Sequence, residues 1–458
     1  MVKLVTHPPA DAAFDLWLNA AVPRYTSYPP ATAFNAGVGA VDFKNSLVNL
    51  AADEAISLYL HIPFCDSLCL YCGCNTGVTH RVSRIERYLD ALKREVDLIT
   101  AMTGKKLRVS HLHFGGGTPN ILSPEMTHDV FNHLRGHFDF SECKEIAVEL
   151  DPRVITQDKI KALVECGVTR VSLGVQDFQD DVQVLVKRLQ PYALVERVCD
   201  WLRAAGITKI NFDLMYGLPL QTPESVIDTA RMVCTLAPDR IALFSYAHLP
   251  RLKKHQKPLE AHGIPGPEMR LAMDDAARQV FTQAGYVAVG MDHFAHPQDS
   301  LVQAMQRGNL HRNFQGYTDD ATQTLLALGP SSISQMREGF FQNERLTDTY
   351  QATINKGELA TTRGYLLNQD DVLRAAIIEA FMCNLSCNIA EICARFDADI
   401  RQFAPEFKKL AEFEKHGLAA RDGTTYRLTS AWRMPIRILC HVFDCHAAAT
   451  PAGFSRVA

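Results

Sequence analysis

The sequence predicts an α/β protein. Its core is an open or partial (β/α)6 barrel, with an arm before it (residues 1–55) and a small, mostly helical, winged-helix-like unit after it (residues 366–458). Three observations carry this. Six apolar, strand-like runs at 56–62, 109–114, 145–150, 170–175, 210–215 and 241–246 alternate with helix-like segments at 84–102, 124–138, 157–166, 194–205 and 223–236, and such alternation makes parallel β/α units. Four of the thirteen cysteines crowd into residues 65–74, directly after the first run. The later runs end in glycines or polar side chains, at the sheet edge where parallel β/α folds gather function.

The arm contains Pro23-Arg24-Tyr25-Thr26-Ser27-Tyr28-Pro29. Two prolines and four hydroxyl-bearing residues suit an extended, irregular stretch, plainly read as a loop lying on the next domain. Arg24 is a candidate for a carboxylate, which a guanidinium matches bidentately. The first strand ends at Pro63, and Cys65, Cys69 and Cys72 follow with C-x3-C-x2-C spacing. Thiolates are the ligands that iron–sulfur clusters, zinc and copper(I) select. Zinc wants four closed ligands, usually as two separated pairs. Only Cys74 is at hand as a fourth, and two residues from Cys72 is tight for a tetrahedron. Three cysteines leave one iron of a four-iron cluster open to a further ligand. Packing, the ordinary role of a buried free cysteine, accounts poorly for four in one loop.

The helix at 84–102 puts Ile85, Tyr88, Leu89, Leu92 and Val96 on one face. The second strand ends in Phe114-Gly115-Gly116-Gly117-Thr118-Pro119, where glycines let a ligand approach the main chain. Alone, that signal is weak. The third ends in Glu149-Leu150-Asp151-Pro152-Arg153, an acid placed for ribose hydroxyls, for Arg153 or for a helix cap. The fourth ends near Gln176, with Arg188 one helix further on. The fifth carries Asp213, and the sixth ends in Tyr246-Ala247-His248. Singly, Gln176, Arg188, Asp213 and His248 read as satisfied structural polar groups; together they mark one rim.

Past residue 250 the alternation weakens. Residues 251–267 read as a surface loop, 268–285 as a helix and 286–290 as a short strand. Met291 to Ala295 and His311 to Tyr317 interleave His, Arg, Asn and Gln with aromatics. That mixture suits a flat ligand bearing carboxylates, or a compact capped loop. From residue 366 the order is a helix capped by Asp371, a second helix, a hairpin at Asp422-Gly423 and a last helix. Cys383 and Cys387, four apart in that first helical pattern, read as packing. The unit shows no dense basic face for DNA, so a substrate-covering or packing role is expected.

Tyr59-Leu60-His61-Ile62-Pro63-Phe64-Cys65 with Cys69-Leu70-Tyr71-Cys72-Gly73-Cys74 resembles the radical S-adenosylmethionine (SAM) enzymes. More closely, it resembles the oxygen-independent coproporphyrinogen III oxidases of haem biosynthesis. The resemblance runs from the Pro23–Pro29 segment to the terminal Phe454-Ser455-Arg456-Val457. It implies a radical SAM partial barrel and one 4Fe–4S cluster on Cys65, Cys69 and Cys72, with SAM on the fourth iron and Cys74 outside the ligand set. It also implies two SAM molecules. Tyr59, Gly116 and Glu149 would line the first site. Tyr71, Gly117, Thr118, Gln176, Arg188, Asp213 and Ala247 would line the second, and Ile333 is a further SAM contact. Pro330 and Ser332 depart from the Val and Ala expected of that segment. The implied reaction uses SAM-derived 5′-deoxyadenosyl radicals to decarboxylate two propionates of coproporphyrinogen III to vinyl groups, giving protoporphyrinogen IX. Arg24, Arg312 and Gln315 are candidate substrate contacts. A reductant and an electron acceptor are required, and neither is identified.

Composition bounds the alternatives. Hydrophobic content of 47% is ample for a core, while 21% charged residues and a net charge of −4 argue against disorder and a nucleic-acid partner. No run approaches the roughly eighteen apolar residues of a membrane span, and the first residues lack the apolar stretch of a signal peptide. The expectation is a cytoplasmic monomer. Against it stand a sister radical SAM protein (a haem chaperone or porphyrin methyltransferase), a zinc module and a DNA-binding regulator.

Overall fold

The structure is a computed structural model that describes residues 19–51, 54–430 and 432–446. The terminal Phe454–Val457 segment and the first eighteen residues lie outside them. The six expected strands form as β1 (Ala55–Ile62), β2 (Arg108–Gly116), β3 (Glu145–Leu150), β4 (Arg170–Gln176), β5 (Lys209–Tyr216) and β6 (Arg240–Ser245). They are parallel neighbours in sequence order.

Both faces of these strands are used, with period two. Ile146, Val148 and Leu150 of β3, Val171 and Leu173 of β4, and Ile210, Phe212 and Leu214 of β5 are buried in one apolar core with the surrounding helices. The alternate residues, among them His111, His113, Glu149, Ser172, Asn211 and Asp213, line a single cavity of about 840 Å³. One face of six strands can enclose one cavity only if the sheet curls around it. The sheet stays open: β1 pairs next with Thr324–Leu328, also parallel, and β6 pairs with the antiparallel His293–Ala295. Antiparallel strands extend both edges to a total of twelve.

Helices α1 (Ala40–Val48), α2 (Val82–Thr103) and α3 (Pro124–His137) begin the outer layer. The α2 helix buries Ile85, Tyr88, Leu89, Leu92, Val96 and Ile99 and stops at Gly104, whose φ of +63° suits a left-handed C-terminal residue. The α3 helix is capped by Ser123, whose Oγ accepts from the Met126 amide at 3.2 Å, with Pro124 in the first turn.

Buried Glu95 ties α2 to three points of the chain that follows the parallel strand Thr324–Leu328. Its carboxylate accepts from the Gly329 amide (2.8 Å), Asn343 Nδ2 (2.6 Å) and the Tyr350 hydroxyl (2.6 Å). Burial, against these donors, pushes its carboxyl up to about 7 from 4.5. Since the ionised form is disfavoured in the fold, this group's contribution to stability is complete below about pH 4.5 and declines as pH rises through 7. Removing the acceptor orphans three donors, so Glu95→Ala is expected to cost about 3 kcal/mol in urea unfolding.

Four expectations are corrected. Residues 251–267 are not a free surface loop: Lys254–His262 forms a 3-10 helix with Gln256 and Leu259 buried. Gln256 holds it in place, donating to the carbonyls of Tyr71 and Ala247 and accepting from the Leu249 amide. The strand expected at 286–290 shrinks to Val287–Val289. The helix at Gln369–Asn384 is capped by Asn368, and Asp371 is its reciprocal partner, its carboxylate accepting from the Asn368 amide. That helix ends at Leu385 in a left-handed conformation, so Cys387 lies on the strand Ser386–Asn388; both Cys383 and Cys387 are buried in packing.

The C-terminal unit continues with Ile389–Arg395, Ala404–Lys415 and the hairpin Ala419–Asp422 with Thr425–Leu428, which completes a three-stranded sheet. The arm does not simply lie on the barrel. Tyr25 and Tyr28 are buried in the same core as this unit; Tyr25 donates to Asp444, and Tyr28 bonds the Phe443 carbonyl and Cys445. Among the described residues no helix is long and apolar enough to cross a membrane.

Candidate active site

The cysteine loop leaves the C-terminal end of β1, and several contacts tie it down. A short parallel ribbon pairs Phe64–Cys65 with Gly77–Val78. The Leu70 amide donates to the Val186 carbonyl at 2.9 Å. From the 3-10 helix and the residue that caps it, His255 Nε2 bonds the Cys72 carbonyl (2.7 Å) and Lys253 Nζ donates to the Cys74 carbonyl (2.8 Å). Donors converge on the sulfurs. Thr118 Oγ1 and Thr76 Oγ1 lie 3.3 and 3.1 Å from Cys65 Sγ. Arg188 Nη1 and Arg153 Nη2 lie 3.5 and 3.6 Å from Cys69 Sγ. A hydrogen bond from Cys74, with burial opposing it, brings the Cys72 thiol down to about 6. Cys74 therefore supports Cys72 from beside it.

This donor set fits an iron–sulfur cluster better than zinc. A tetrahedral zinc with bonds of about 2.3 Å needs its sulfurs about 3.8 Å apart. Among the described residues, the groups of three metal-capable side chains within 4.8 Å of one another lie elsewhere, and the loop cysteines form no such group. Soft sulfur ligands with N–H and O–H donors aimed at them suit a thiolate-bound cluster.

The glycine edge of β2 is closely fitted. A Cβ on Gly116, whose φ is +115°, would fall 2.7 Å from the His61 ring. One on Gly117 would fall 2.6 Å from the Phe64 carbonyl oxygen. Only glycine lets this edge turn back over the cysteine loop. Glu149 sits alongside, accepting from the Gly116 amide (3.2 Å) and meeting His113 Nε2 (3.1 Å). Burial alone would raise its carboxyl, but His113 and the Gly116 amide hold it below the usual range, so it stays ionised. Tyr59 donates to His61 Nδ1 (3.0 Å), because His61 Nε2 is committed to the Asn75 carbonyl (2.8 Å). Burial lowers the His61 imidazole, which is neutral in that network.

Tyr71, Glu149, Gln176, Asp213, Ala247, Arg24 and Gln315 line the cavity. Gln176 is aimed there by a register shift between β4 and β5 and by its own positive φ of +65°. Asp213 is held by Ser172 Oγ and Asn211 Nδ2, each at 2.8 Å, and burial raises its carboxyl against them. Arg24 reaches in from the arm and donates to the Ser245 carbonyl.

Gly117, Thr118 and Arg188 lie on the cysteine side of this space. Arg188 is buried, donating to the carbonyl of Gly174, to Gln190 Oε1 (3.0 Å) and to Asp151 Oδ2 (3.2 Å). Tyr59 and Gly116 flank Glu149. Two candidates stand apart from the lining. Arg312 is buried beneath it, stacked 4.4 Å from the Tyr317 ring centroid and 3.7 Å from Asp292. Ile333 lies on the antiparallel strand Ile333–Met336, paired with Gln342.

Sequence reasoning missed the cavity's inner wall, including His111, His113, Ser172 and Asn211, and its base, where Arg170 pairs with Glu145 (2.9 Å) and Arg240 with Asp299 (2.8 Å). The signal was available: polar residues at every second position of β2, β4 and β5 mark a face turned away from the apolar core.

Residues 59–233 match the radical SAM superfamily, and residues 367–431 match the HemN C-terminal domain. The chain is 41% identical to the oxygen-independent coproporphyrinogen III oxidase of Bradyrhizobium diazoefficiens, over 93% of this chain and 94% of that protein. It is 38% identical to the oxidase of the same name from Escherichia coli strain K12, over 95% of each. The solved structure of coproporphyrinogen III oxidase from E. coli, described as a radical SAM enzyme, superposes with a TM-score of 0.88 at 38% identity, covering 95% of this chain and 99% of that one.

Proposed function

The chain belongs to the oxygen-independent coproporphyrinogen III oxidases, within the radical SAM superfamily, and from that premise we propose that it decarboxylates two propionates of coproporphyrinogen III to vinyl groups, yielding protoporphyrinogen IX for haem biosynthesis. The observation that carries the reading is the union of the cysteine loop with the strand-lined cavity: Tyr71 and Cys72 belong to both. On this reading residues 56–365 are the radical SAM unit with its extension, 1–55 the arm and 366–458 the C-terminal unit. The protein acts as a monomer in the cytoplasm.

Membership of the superfamily implies a 4Fe–4S cluster and SAM. We assign the cluster to Cys65, Cys69 and Cys72. When bound, cluster and SAM supply a 5′-deoxyadenosyl radical on receiving an electron; that chemistry is the cofactors' own. The protein's share is orientation and exclusion of water. Ionised Glu149 and the Gly116 edge, with Tyr59 beside them, hold the first SAM. Tyr71, Gly117, Thr118, Gln176, Arg188, Asp213 and Ala247 hold a second, and Ile333 is a further SAM contact. Each propionate then loses a hydrogen atom from its β-carbon, followed by CO2 and one electron passed to an acceptor. The carbon–hydrogen step needs no general acid–base pair.

The substrate carries four carboxylates. Arg24, Gln315 and Arg312 are the groups we assign to it, Arg24 most directly. Burial lowers the Arg24 guanidinium, with Asp292 acting against that from a distance, so a substrate carboxylate would supply a nearby counter-charge. Arg24→Ala is expected to raise KM for coproporphyrinogen III at least about tenfold, the effect of losing about 1.4 kcal/mol of binding, with iron content and SAM affinity unchanged. An unchanged KM would remove Arg24 from the substrate site. The activity itself is tested anaerobically, with reconstituted protein, SAM, a strong reductant and an electron acceptor, by separating the porphyrins after oxidation.

A further inference from the structure

On the outer face of the molecule, away from the cavity, Asp97 of α2 meets His133 and His137 of α3. His133 Nε2 lies 2.8 Å and His137 Nε2 3.0 Å from the same oxygen, Asp97 Oδ1. The two imidazoles are one helical turn apart, with ring centroids separated by 4.4 Å. All three ligand atoms fall within 4.8 Å of one another, and the histidines are half-buried while Asp97 is exposed.

The contacts around these side chains leave a nitrogen lone pair facing one carboxylate oxygen. A neutral imidazole has one N–H and one lone pair. His137 Nδ1 faces the His133 carbonyl oxygen at 2.9 Å, an acceptor that fixes its proton there. Its Nε2 then presents a lone pair to a carboxylate oxygen that already accepts from His133. His133 Nε2 also faces the Lys93 carbonyl at 3.2 Å. A metal ion placed between the Nε2 lone pairs and the Asp97 oxygen would take all three as ligands.

We propose that Asp97, His133 and His137 form a binding site for one divalent transition-metal ion of the zinc class, separate from the iron–sulfur site. The donor set is borderline-soft, two imidazoles and one carboxylate, which suits zinc and its neighbours. The Nδ1–carbonyl bond of His137 is the outer-sphere contact that orients a metal-bound histidine. Ligands of a tetrahedral ion with bonds of about 2.1 Å stand about 3.4 Å apart. The present 2.8 and 3.0 Å contacts need to open by only about half an ångström. An ion here clips α2, which follows the cysteine loop, to α3, which follows the glycine edge; water fills the coordination positions left on the exposed side.

The test uses the reconstituted holoenzyme, dialysed anaerobically against graded Zn2+, with zinc and iron counted per chain. The expected result is one zinc per chain, half-saturated below about 100 µM, alongside the full iron complement. His133→Gln, His137→Gln and Asp97→Asn, each with unchanged iron content and circular dichroism, should weaken that binding at least about a hundredfold, beyond the ten- to hundredfold typical of losing an outer-sphere partner. Zinc binding to these variants as to the unaltered protein overturns the proposal, because the ion then sits elsewhere. Absence of binding at 100 µM overturns it as well.

Discussion

Replacing Cys69 with serine is expected to abolish both the cluster and all turnover. A serine hydroxyl keeps the shape of the side chain but is not the soft, readily ionised ligand that iron in a cluster selects. The substituted protein should emerge from anaerobic reconstitution colourless, with iron near background and no 5′-deoxyadenosine formed. Its fold should survive, since Cys69 supplies only weak sulfur contacts to Arg153 and Arg188. Cys74→Ser is the matched control. Cys74 hydrogen-bonds Cys72 and is not assigned to the cluster, so that variant should retain four irons with altered spectroscopic or redox properties. Iron analysis and low-temperature spectroscopy of the reduced proteins check both. A cluster retained by Cys69→Ser, or lost only with Cys74, would require a different ligand set.

Arg188→Ala is expected to damage stability and activity together. This guanidinium is buried, and five groups depend on it: the Gly174 carbonyl, Gln190, Asp151, Cys69 and, through space, Tyr71. Burial works against the charge, but Tyr71, Asp151 and Cys69 raise it well above the ordinary arginine range. Its loss leaves Arg153, at 2.6 Å, as the remaining arginine on Asp151, and removes the guanidinium from the Gly174 carbonyl and Gln190 Oε1. Breaking a buried pair of this kind costs about 3–5 kcal/mol, readable as a lower urea midpoint. Arg188→Lys restores charge without the planar fork and should recover only part of it. If Arg188 serves a second SAM, Arg188→Lys should bind fewer SAM molecules per chain with its iron intact. A merely structural role would leave that stoichiometry alone.

What the sequence made legible was periodic or chemically unusual. The six parallel strands were visible because short apolar runs alternate with helix-like segments. The cysteine loop was visible because nothing else explains thiols at that density. Features set by tertiary contact were not visible. The seventh parallel strand, Thr324–Leu328, is a short apolar run whose pairing with β1 joins segments over 260 residues apart. Nothing local predicts it. The positive φ of Gln176 and the register shift beside it re-aim a side chain that the regular pattern could not orient. Residues 251–267 looked like a loop because they are polar. Gln256, Lys253 and His255 are polar because they bind the backbone of the cysteine loop. The depth of Arg312, beneath the cavity lining with the Tyr317 ring stacked on it, was likewise not legible from its neighbours in sequence.

The central claim is that this chain takes hydrogen from the propionate β-carbon and converts the side chain to vinyl. The most direct test supplies coproporphyrinogen III deuterated at the β-carbons of its propionates, with SAM, reductant and an electron acceptor, under strict anaerobiosis. Mass spectra of 5′-deoxyadenosine and of the oxidised porphyrins are then compared. The expected result is protoporphyrin together with deuterium-bearing 5′-deoxyadenosine, in a ratio of one to two, and neither product from Cys69→Ser. Unlabelled 5′-deoxyadenosine with no vinyl product, from protein holding its full iron, would contradict it.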